Sequence, residues 1–201
     1  MKNYPSVLGS TKCPHKNCFA FVKYDGSNLR WEWNPKKGFC KQGTRNHLFD
    51  ESDIIFGRSI EVFNEKYNDS LNRIFRKYYR NFQEVTAFTE FLGHNSFAGI
   101  HDPNDKMGLV LIDIWLYKFG LINPRDFIKN FDSVHKAELI YTGNLNQEFI
   151  TDVKEGKYNV IEGVVCKGGE GRDHWMRKIK TYEYLRRLKE RFSGDWTKYW
   201  E

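Results

Sequence analysis

Short strand-like runs over residues 19–42 give way, from Ser52, to apolar residues at three- and four-residue spacings, so the pattern changes from strand to helix within one chain. Residues 19–24 (FAFVKY) and 29–33 (LRWEW) predict two strands separated by the turn Asp25-Gly26-Ser27-Asn28, and a third strand is expected over 38–42. From Ser52 onward, Ile60, Phe63, Tyr67, Leu71, Ile74 and Tyr78 share one face of a long amphipathic helix, with Asp50 or Ser52 as its N-cap. Residues 84–92 and 108–117 read as strands joined by a polar loop through His101-Asp102-Pro103. Asn123-Pro124 opens a short helix, because proline suits the first helical position after a capping asparagine. A strand over 138–142, a helix from Leu145 to Val153, and strands over 160–166 and 175–180 follow. The closing helix, 182–192, places Tyr182, Leu185, Leu188 and Phe192 on one face. The expected fold is a single α/β domain of the α+β kind, with antiparallel sheets flanked by helices and no linker or internal repeat.

Composition narrows this further. The 201 residues are 40% hydrophobic and 29% charged, with a mean hydropathy of −0.69, so the chain can bury a core without covalent staples. No apolar run approaches the length of a membrane span, and MKNYPSVLGS has no apolar signal region, so a cytoplasmic location and no membrane partner are expected. Cys13-Pro14-His15-x-x-Cys18 lacks a second Cys/His pair to complete four zinc ligands, and the thiols Cys13, Cys18, Cys40 and Cys166 are expected to be reduced.

The net charge of +6 is unevenly spread. Residues 1–50 carry 9 Lys/Arg against 3 Asp/Glu, and 151–201 carry 12 against 9, while 51–150 carry 11 against 14. An anionic partner would therefore meet the two ends of the chain, if those ends come together.

Several charged residues interrupt apolar strands, where burial is costly unless the group is paired or serves a ligand. Lys23 ends a strand ahead of Tyr24-Asp25-Gly26. Alone it would be an ordinary surface lysine, but companions follow in order: Lys41-Gln-Gly-Thr44-Arg45, Glu90-Phe91-x-Gly93, Asp113, Glu162-Gly163-Val164-Val165-Cys166-Lys167, and Lys178-Ile179-Lys180. Lys178 and Lys180 share a strand face because side chains alternate with period two.

These elements resemble those of the covalent nucleotidyltransferases, the superfamily of ATP-dependent RNA and DNA ligases and mRNA capping enzymes. Lys23-Tyr24-Asp25-Gly26 is similar to their K-x-D-G nucleophile motif, Glu90 to the third motif, Glu162-Gly163 to the fourth and Lys178-x-Lys180 to the fifth. Asn28, two residues after Gly26, resembles the nick-sealing RNA ligases of large phages and of RNA editing; many DNA ligases and capping enzymes carry Arg there. Asp113 resembles the acid of a Phe-Asp-Ile element, with Ile112 standing where the family has an adenine-stacking ring. The resemblance covers residues 23 to 180. The 21 residues after Lys180 leave no room for an OB fold or an appended helical domain, so residues 1–201 are expected to be the catalytic core alone.

The resemblance implies an ATP-dependent RNA ligase that joins 3′-hydroxyl and 5′-phosphate ends through lysyl-AMP and AMP-capped intermediates. It implies ATP and Mg²⁺ or Mn²⁺ as cofactors and a role in RNA repair, in a bacterial host cytoplasm if the chain is phage-encoded. Lys23 would be the nucleophile, with Lys178 and Lys180 grounding the α-phosphate and lowering its pKa. Arg45 would hold a phosphate, Asn28 and Glu90 would face the nucleoside, Ile112 and Val165 would enclose the base, and Glu162 would hold the metal. The expected partner is a nicked or broken RNA duplex, or a hybrid or DNA one, met by Arg172, Arg177, Arg186, Arg187 and Lys189. A protein partner replacing a missing domain stays open, and a monomer is expected. The alternatives are an ATP-dependent DNA nick ligase and a GTP-dependent capping guanylyltransferase.

Overall fold

The computed structural model describes residues 1–11, 15–93 and 107–199. The strands are β1 (Asn17–Lys23), β2 (Ser27–Asn34), β3 (Gly38–Gly43), β4 (Val85–Leu92), β5 (Gly108–Leu116), β6 (Gly120–Leu121), β7 (Leu139–Asn144), β8 (Gly163–Gly168) and β9 (Trp175–Lys180). They form two antiparallel sheets, a four-stranded one in the order β7-β1-β8-β9 and a five-stranded one in the order β3-β2-β4-β5-β6. The helices are α1 (Arg58–Phe63), α2 (Asp69–Tyr78), α3 (Pro124–Asn130), α4 (Gln147–Lys154) and α5 (Tyr182–Phe192). The loop expected through His101-Asp102-Pro103 and the thiol of Cys13 lie outside the described residues; Cys18, Cys40 and Cys166 are free thiols.

One π-helical turn, Asn64–Asn68, joins α1 to α2. Phe63, Tyr67, Leu71, Phe75 and Tyr79 are buried at a strict spacing of four. An α-helix of 3.6 residues per turn would rotate that series away from the sheet, and the wider π turn restores its alignment. Phe75 and Tyr79 therefore face the core, where the sequence pattern had put Ile74 and Tyr78; Tyr78 is 45% exposed. Trp31 stacks on Phe63 at 3.9 Å between ring centroids, and Trp33 Nε1 donates to Asn72 Oδ1 at 2.6 Å, fixing this helical face on β2.

Two other element boundaries differ from expectation. The long helix begins at Arg58 with Gly57 at its N-cap position, because Asp50 and Asp53 are used in the preceding turns. Asp53 Oδ1 accepts from the amides of Ile55 and Phe56, both at 2.9 Å, and Asp50 Oδ1 accepts from Ser52 N at 2.9 Å. Strand β8 starts at Gly163, so Glu162 belongs to the bend before the strand. In α5 the buried aromatic ring is Tyr184, while Tyr182 is 57% exposed. Asn123 caps α3 as expected, and Asn146 and Thr181, which the sequence pattern had not singled out, cap α4 and α5 in the same way, each accepting an amide hydrogen bond from the first turn.

The sheets face each other across a cleft, with helices packed behind them. A β-bulge shapes the cleft wall: Phe88 pairs with Asp113 and Thr89 with Leu111, leaving Ile112 as the extra residue. A bulge lets two successive side chains lean to the same side of a sheet. Lys167 on β8 reaches across to this wall, donating to Asp113 Oδ2 at 2.7 Å and to the Ile112 carbonyl at 2.6 Å. Both partners of this ion pair are 3% exposed, and Lys167 Nζ also lies 5.0 Å from the Phe21 ring centroid. Removing one partner leaves an uncompensated buried charge. Asp113→Ala should therefore lower the unfolding free energy by about 3–5 kcal/mol in urea titrations, and the double variant Asp113→Leu/Lys167→Met should recover most of that loss.

Candidate active site

The antiparallel register aligns three residues across one sheet. Lys23 on β1 pairs with Gly163 on β8, which pairs with Lys180 on β9. Glu162, immediately before Gly163, turns its carboxylate between the two lysines: Oε1 lies 2.7 Å from Lys23 Nζ and 3.8 Å from Lys180 Nζ. Thr181 holds this bend in place, its amide donating to Glu162 O at 3.0 Å and its hydroxyl to Ile161 O at 3.0 Å.

The two motif glycines are steric requirements. A Cβ on Gly163, whose φ is +149°, would lie 1.9 Å from the Ile179 carbonyl oxygen. A Cβ on Gly26 would lie 2.4 Å from the Phe91 carbonyl oxygen, so only glycine lets the β1–β2 turn close against β4. Glu90 on β4 then accepts from the Gly26 amide and from Asn28, its cross-strand partner. Asp25, buried at 8% exposure, accepts from the Tyr184 hydroxyl at 2.9 Å, which docks α5 on the same turn.

Lys23, Asn28, Arg45, Glu90, Ile112, Val165 and Lys178 all line one cleft of about 300 Å³ between the sheets. Ile112 and Val165 come from opposing sheets, while Arg45 and Lys178 add positive charge to the walls. Lys180 is buried, at 6% exposure, behind Glu162. Glu162 and Lys23 also border an adjoining cleft of about 490 Å³. Sequence reasoning missed the segment over residues 4–8. Tyr4, Pro5, Ser6 and Val7 line the first cleft, the Tyr4 hydroxyl donates to Asp113 Oδ2 at 2.8 Å, and Leu8 pairs with Arg177 on β9. No periodicity marks this segment, and only the apolar character of Tyr4 and Val7 hints at a buried role.

Of the five residues expected to meet nucleic acid, Arg172 and Arg177 line a separate groove beside the cleft. Arg186 is paired with Glu183 at 2.8 Å and with Glu190 at 2.5 Å, Arg187 is paired with Glu183 at 3.0 Å, and Lys189 lies over the Trp196 ring at 5.7 Å.

The electrostatics correct one expectation. Burial alone would push the Lys23 ammonium down, but Glu162, with Glu90 and Asp25 near it, outweighs that effect and holds its pKa above the ordinary value. The depressed lysine is Lys180, brought to about 8 by burial together with the charges of Lys23 and Lys178. Lys23 touches a carboxylate directly, whereas Lys180 stands farther from it and nearer other cations. Glu90 is raised to about 7, chiefly by burial and further by Glu162, against the opposing pull of Lys23.

Among the described residues no cluster of three or more His, Cys, Asp or Glu side chains could hold a metal. Glu162 Oε2 is nonetheless buried with no hydrogen-bond partner among them. A single carboxylate with a free oxygen fits a small hard cation that takes its remaining ligands from substrate phosphates and water.

No protein-family model and no curated protein matches this sequence. Solved structures do match. An archaeal ATP-dependent RNA ligase superposes with a TM-score of 0.70 at 16% identity, covering 96% of this chain and 52% of the other. A point mutant of a Naegleria gruberi RNA ligase with ATP and Mn superposes with a TM-score of 0.66 at 15% identity, covering 90% and 57%. Another mutant of that ligase, with AMP and Mn, gives 0.61 at 16% identity over 86% and 52%.

A pH prediction follows from Glu90. Its pKa is higher folded than unfolded, so the folded state binds the extra proton between about pH 4.5 and pH 7 and loses stability as pH rises through that window. Glu90→Gln should remove this loss, gaining about 1–3 kcal/mol on wild type between pH 4.5 and pH 8 in urea titrations, the range reflecting partial solvent screening. Gly163→Ala should fail to fold or lose several kcal/mol, about 3 or more by analogy with other severe backbone clashes, as read by circular dichroism melts. The chain spans about half the length of the solved structures it matches and shares the fold of that half of the ATP-dependent RNA ligases.

Proposed function

We propose that this chain is the nucleotidyltransferase core of an ATP-dependent RNA ligase working through a lysyl-AMP intermediate. One observation carries the reading: Lys23 stands at the wall of a cleft whose other walls hold Asn28, Arg45, Glu90, Ile112, Val165 and Lys178, the residues the motif resemblance had assigned to the nucleotide. Among the RNA ligase structures that share this fold are ones with ATP and Mn and one with AMP and Mn, which supports a nucleotide and a divalent cation as ligands here.

In this reading the adenine lies between Ile112 and Val165, where aliphatic side chains cover its two faces. Glu90 and Asn28 accept from and donate to the ribose hydroxyls. Arg45 and Lys178 hold phosphate oxygens, Arg45 with the forked geometry suited to bidentate contact. The Lys23 amine attacks the α-phosphorus, a P–N bond forms, and the bond to the pyrophosphate oxygen breaks. A 5′-phosphate oxygen of the nucleic acid then displaces Lys23 from AMP, and a 3′-hydroxyl displaces AMP to close the strand. Catalysis rests mainly on placing positive charge around the transferring phosphorus.

Lys23 must be neutral to attack, and in the free site Glu162 keeps it charged. A divalent cation would supply positive charge at Glu162 Oε2 and weaken that hold. With Glu162 drawn away, burial and the nearby Lys180 and Lys178 act on Lys23 in the direction of the free amine. Mg²⁺ or Mn²⁺ would suit a lone carboxylate equally.

Incubation with ATP and Mg²⁺ should yield a covalent adduct of AMP mass on Lys23, absent from Lys23→Ala, by intact-mass and peptide mass spectrometry. Preference for GTP would assign the site to a capping guanylyltransferase, and sealing of nicked DNA over nicked RNA would assign it to a DNA ligase. Glu162→Ala and Lys180→Ala should each reduce strand joining at least about 100-fold, the scale of losing one preorganised charged group, with circular dichroism spectra unchanged.

A further inference from the structure

A groove of about 530 Å³ lies across the N-terminal segment from the nucleotide cleft, between the β5–β6 turn and the β8–β9 turn; Pro5 and Ser6 border both. Lys2, Lys118, Arg172 and Arg177 line it, and among the described residues no carboxylate does. Helix α5 holds as many Lys and Arg residues in one run of sequence, yet its Arg186 and Arg187 are paired with Glu183 and Glu190. The cations of the groove, by contrast, have no acidic residue among the described lining residues.

The groove is built into the fold. Leu121 pairs with Gly171 across the two turns, and the Gly171 amide donates to Leu121 O at 2.8 Å. Gly120 and Gly171 have φ of +116° and +55°, and a Cβ on Gly120 would lie 2.7 Å from the Gly171 carbonyl oxygen. Lys118 itself is held at φ +62°, an unusual conformation for a lysine. Two polar atoms of the lining residues, His174 Nε2 and Arg177 Nε, are buried without a hydrogen-bond partner among the described residues. Arg177 is anchored by Nη1 donating to Met176 O at 2.8 Å. Aromatic faces border the same space: Trp115, approached by Lys2 at 5.9 Å, together with Phe119 and Trp175.

Convergent cations in a lining that holds no carboxylate favour a polyanion, and interleaved aromatic rings favour unpaired bases. We propose that this groove binds a single-stranded stretch of nucleic acid beside the strand ends, gripping its phosphates with Lys2, Lys118, Arg172 and Arg177 and stacking a base on Trp115 or Trp175. The groove deepens the ligase reading and rests on it for the identity of the substrate as RNA, but the binding itself does not depend on it. A duplex presents paired bases and a convex backbone, and it would leave these rings unused.

The test is fluorescence anisotropy of a labelled 12-nucleotide oligouridylate with the full chain, across a salt series. Lys118→Asn keeps the left-handed turn, which asparagine tolerates, while removing the charge. Lys118→Asn and Arg172→Ala should each raise Kd about five- to tenfold at low salt and make the log–log salt slope shallower by about 0.7, the value for one phosphate contact on a single strand. Trp175→Ala should weaken binding with no change in slope. Wild-type protein that binds no oligonucleotide would overturn the proposal. So would folded Lys118→Asn and Arg172→Ala variants with wild-type affinity and slope, or Arg186→Ala/Arg187→Ala losing more affinity than they do. Equal binding of a polyglutamate peptide of the same length would replace the nucleic-acid assignment with an acidic-peptide one. Lysyl-AMP formation measured in parallel separates the two readings. Salt-dependent binding through Lys118 and Arg172 without any lysyl-AMP would refute the ligase and leave the groove standing.

Discussion

The buried ion pair between Asp113 and Lys167 joins the two sheets at the base of the cleft. Each partner belongs to a different sheet, and each would be prohibitively placed without the other. Asp113 can meet Lys167 because the bulge at Ile112 turns the β5 wall toward the cleft. The Tyr4 hydroxyl adds a second donor to the same carboxylate, tying down the N-terminal segment that closes one side. The spacing of the walls, and with it the placement of Ile112 opposite Val165, follows from this contact. A hydrophobic pair in its place could be as stable, but it would not impose a single relative position on two sheets through directed hydrogen bonds.

A second constraint acts at the other end of the cleft, where Lys23, Glu162, Lys180 and Glu90 crowd together. The opposite charges hold Lys23 protonated, while burial first, and the like charges after it, depress Lys180 and raise Glu90. Such a cluster is poised because its groups are mutually dependent: moving charge at Glu162 changes the protonation of its neighbours. Backbone geometry makes the crowding possible. Gly163 lets β8 approach Ile179 on β9, Gly26 lets the β1–β2 turn approach β4, and Thr181 clamps the bend that carries Glu162. The glycines that mark the motifs in sequence are thus the positions where two backbones come within the radius of one methyl group.

The basic surface shows how counting and geometry part company. By count, α5 carries the most Lys and Arg of the helices. In three dimensions Arg186 and Arg187 lie one turn from Glu183, and Arg186 one turn from Glu190, and these i, i+3 and i, i+4 pairs cancel much of their charge. The residues of the groove are far apart in the chain, from Lys2 to Arg177, and reinforce one another only because two hairpin turns and the N-terminal segment converge.

Local sequence determined the elements themselves. Alternation gave the strands through Lys23, Asn34 and Lys180, and the capping residues Asn123 and Thr181 began their helices where their side chains could accept the first free amides. The order of charged residues on apolar strands likewise singled out Lys23, Glu90 and Lys178 as candidates, since such residues are costly to bury without purpose, and all three line one cleft. Tertiary structure alone decided the rest. The π turn that moved the buried face to Phe75 and Tyr79, the bulge at Ile112 and the start of β8 at Gly163 all arise from fitting one element against another. The inversion that leaves Lys23 raised and Lys180 lowered comes from burial of Lys180 beside Lys23 and Lys178, set against the gathering of Glu162, Glu90 and Asp25 around Lys23. Glu162 lies 2.7 Å from Lys23 and 3.8 Å from Lys180, an arrangement no sequence spacing encodes. Period and capping are properties of neighbours in the chain, whereas electrostatic potential is a sum over neighbours in space.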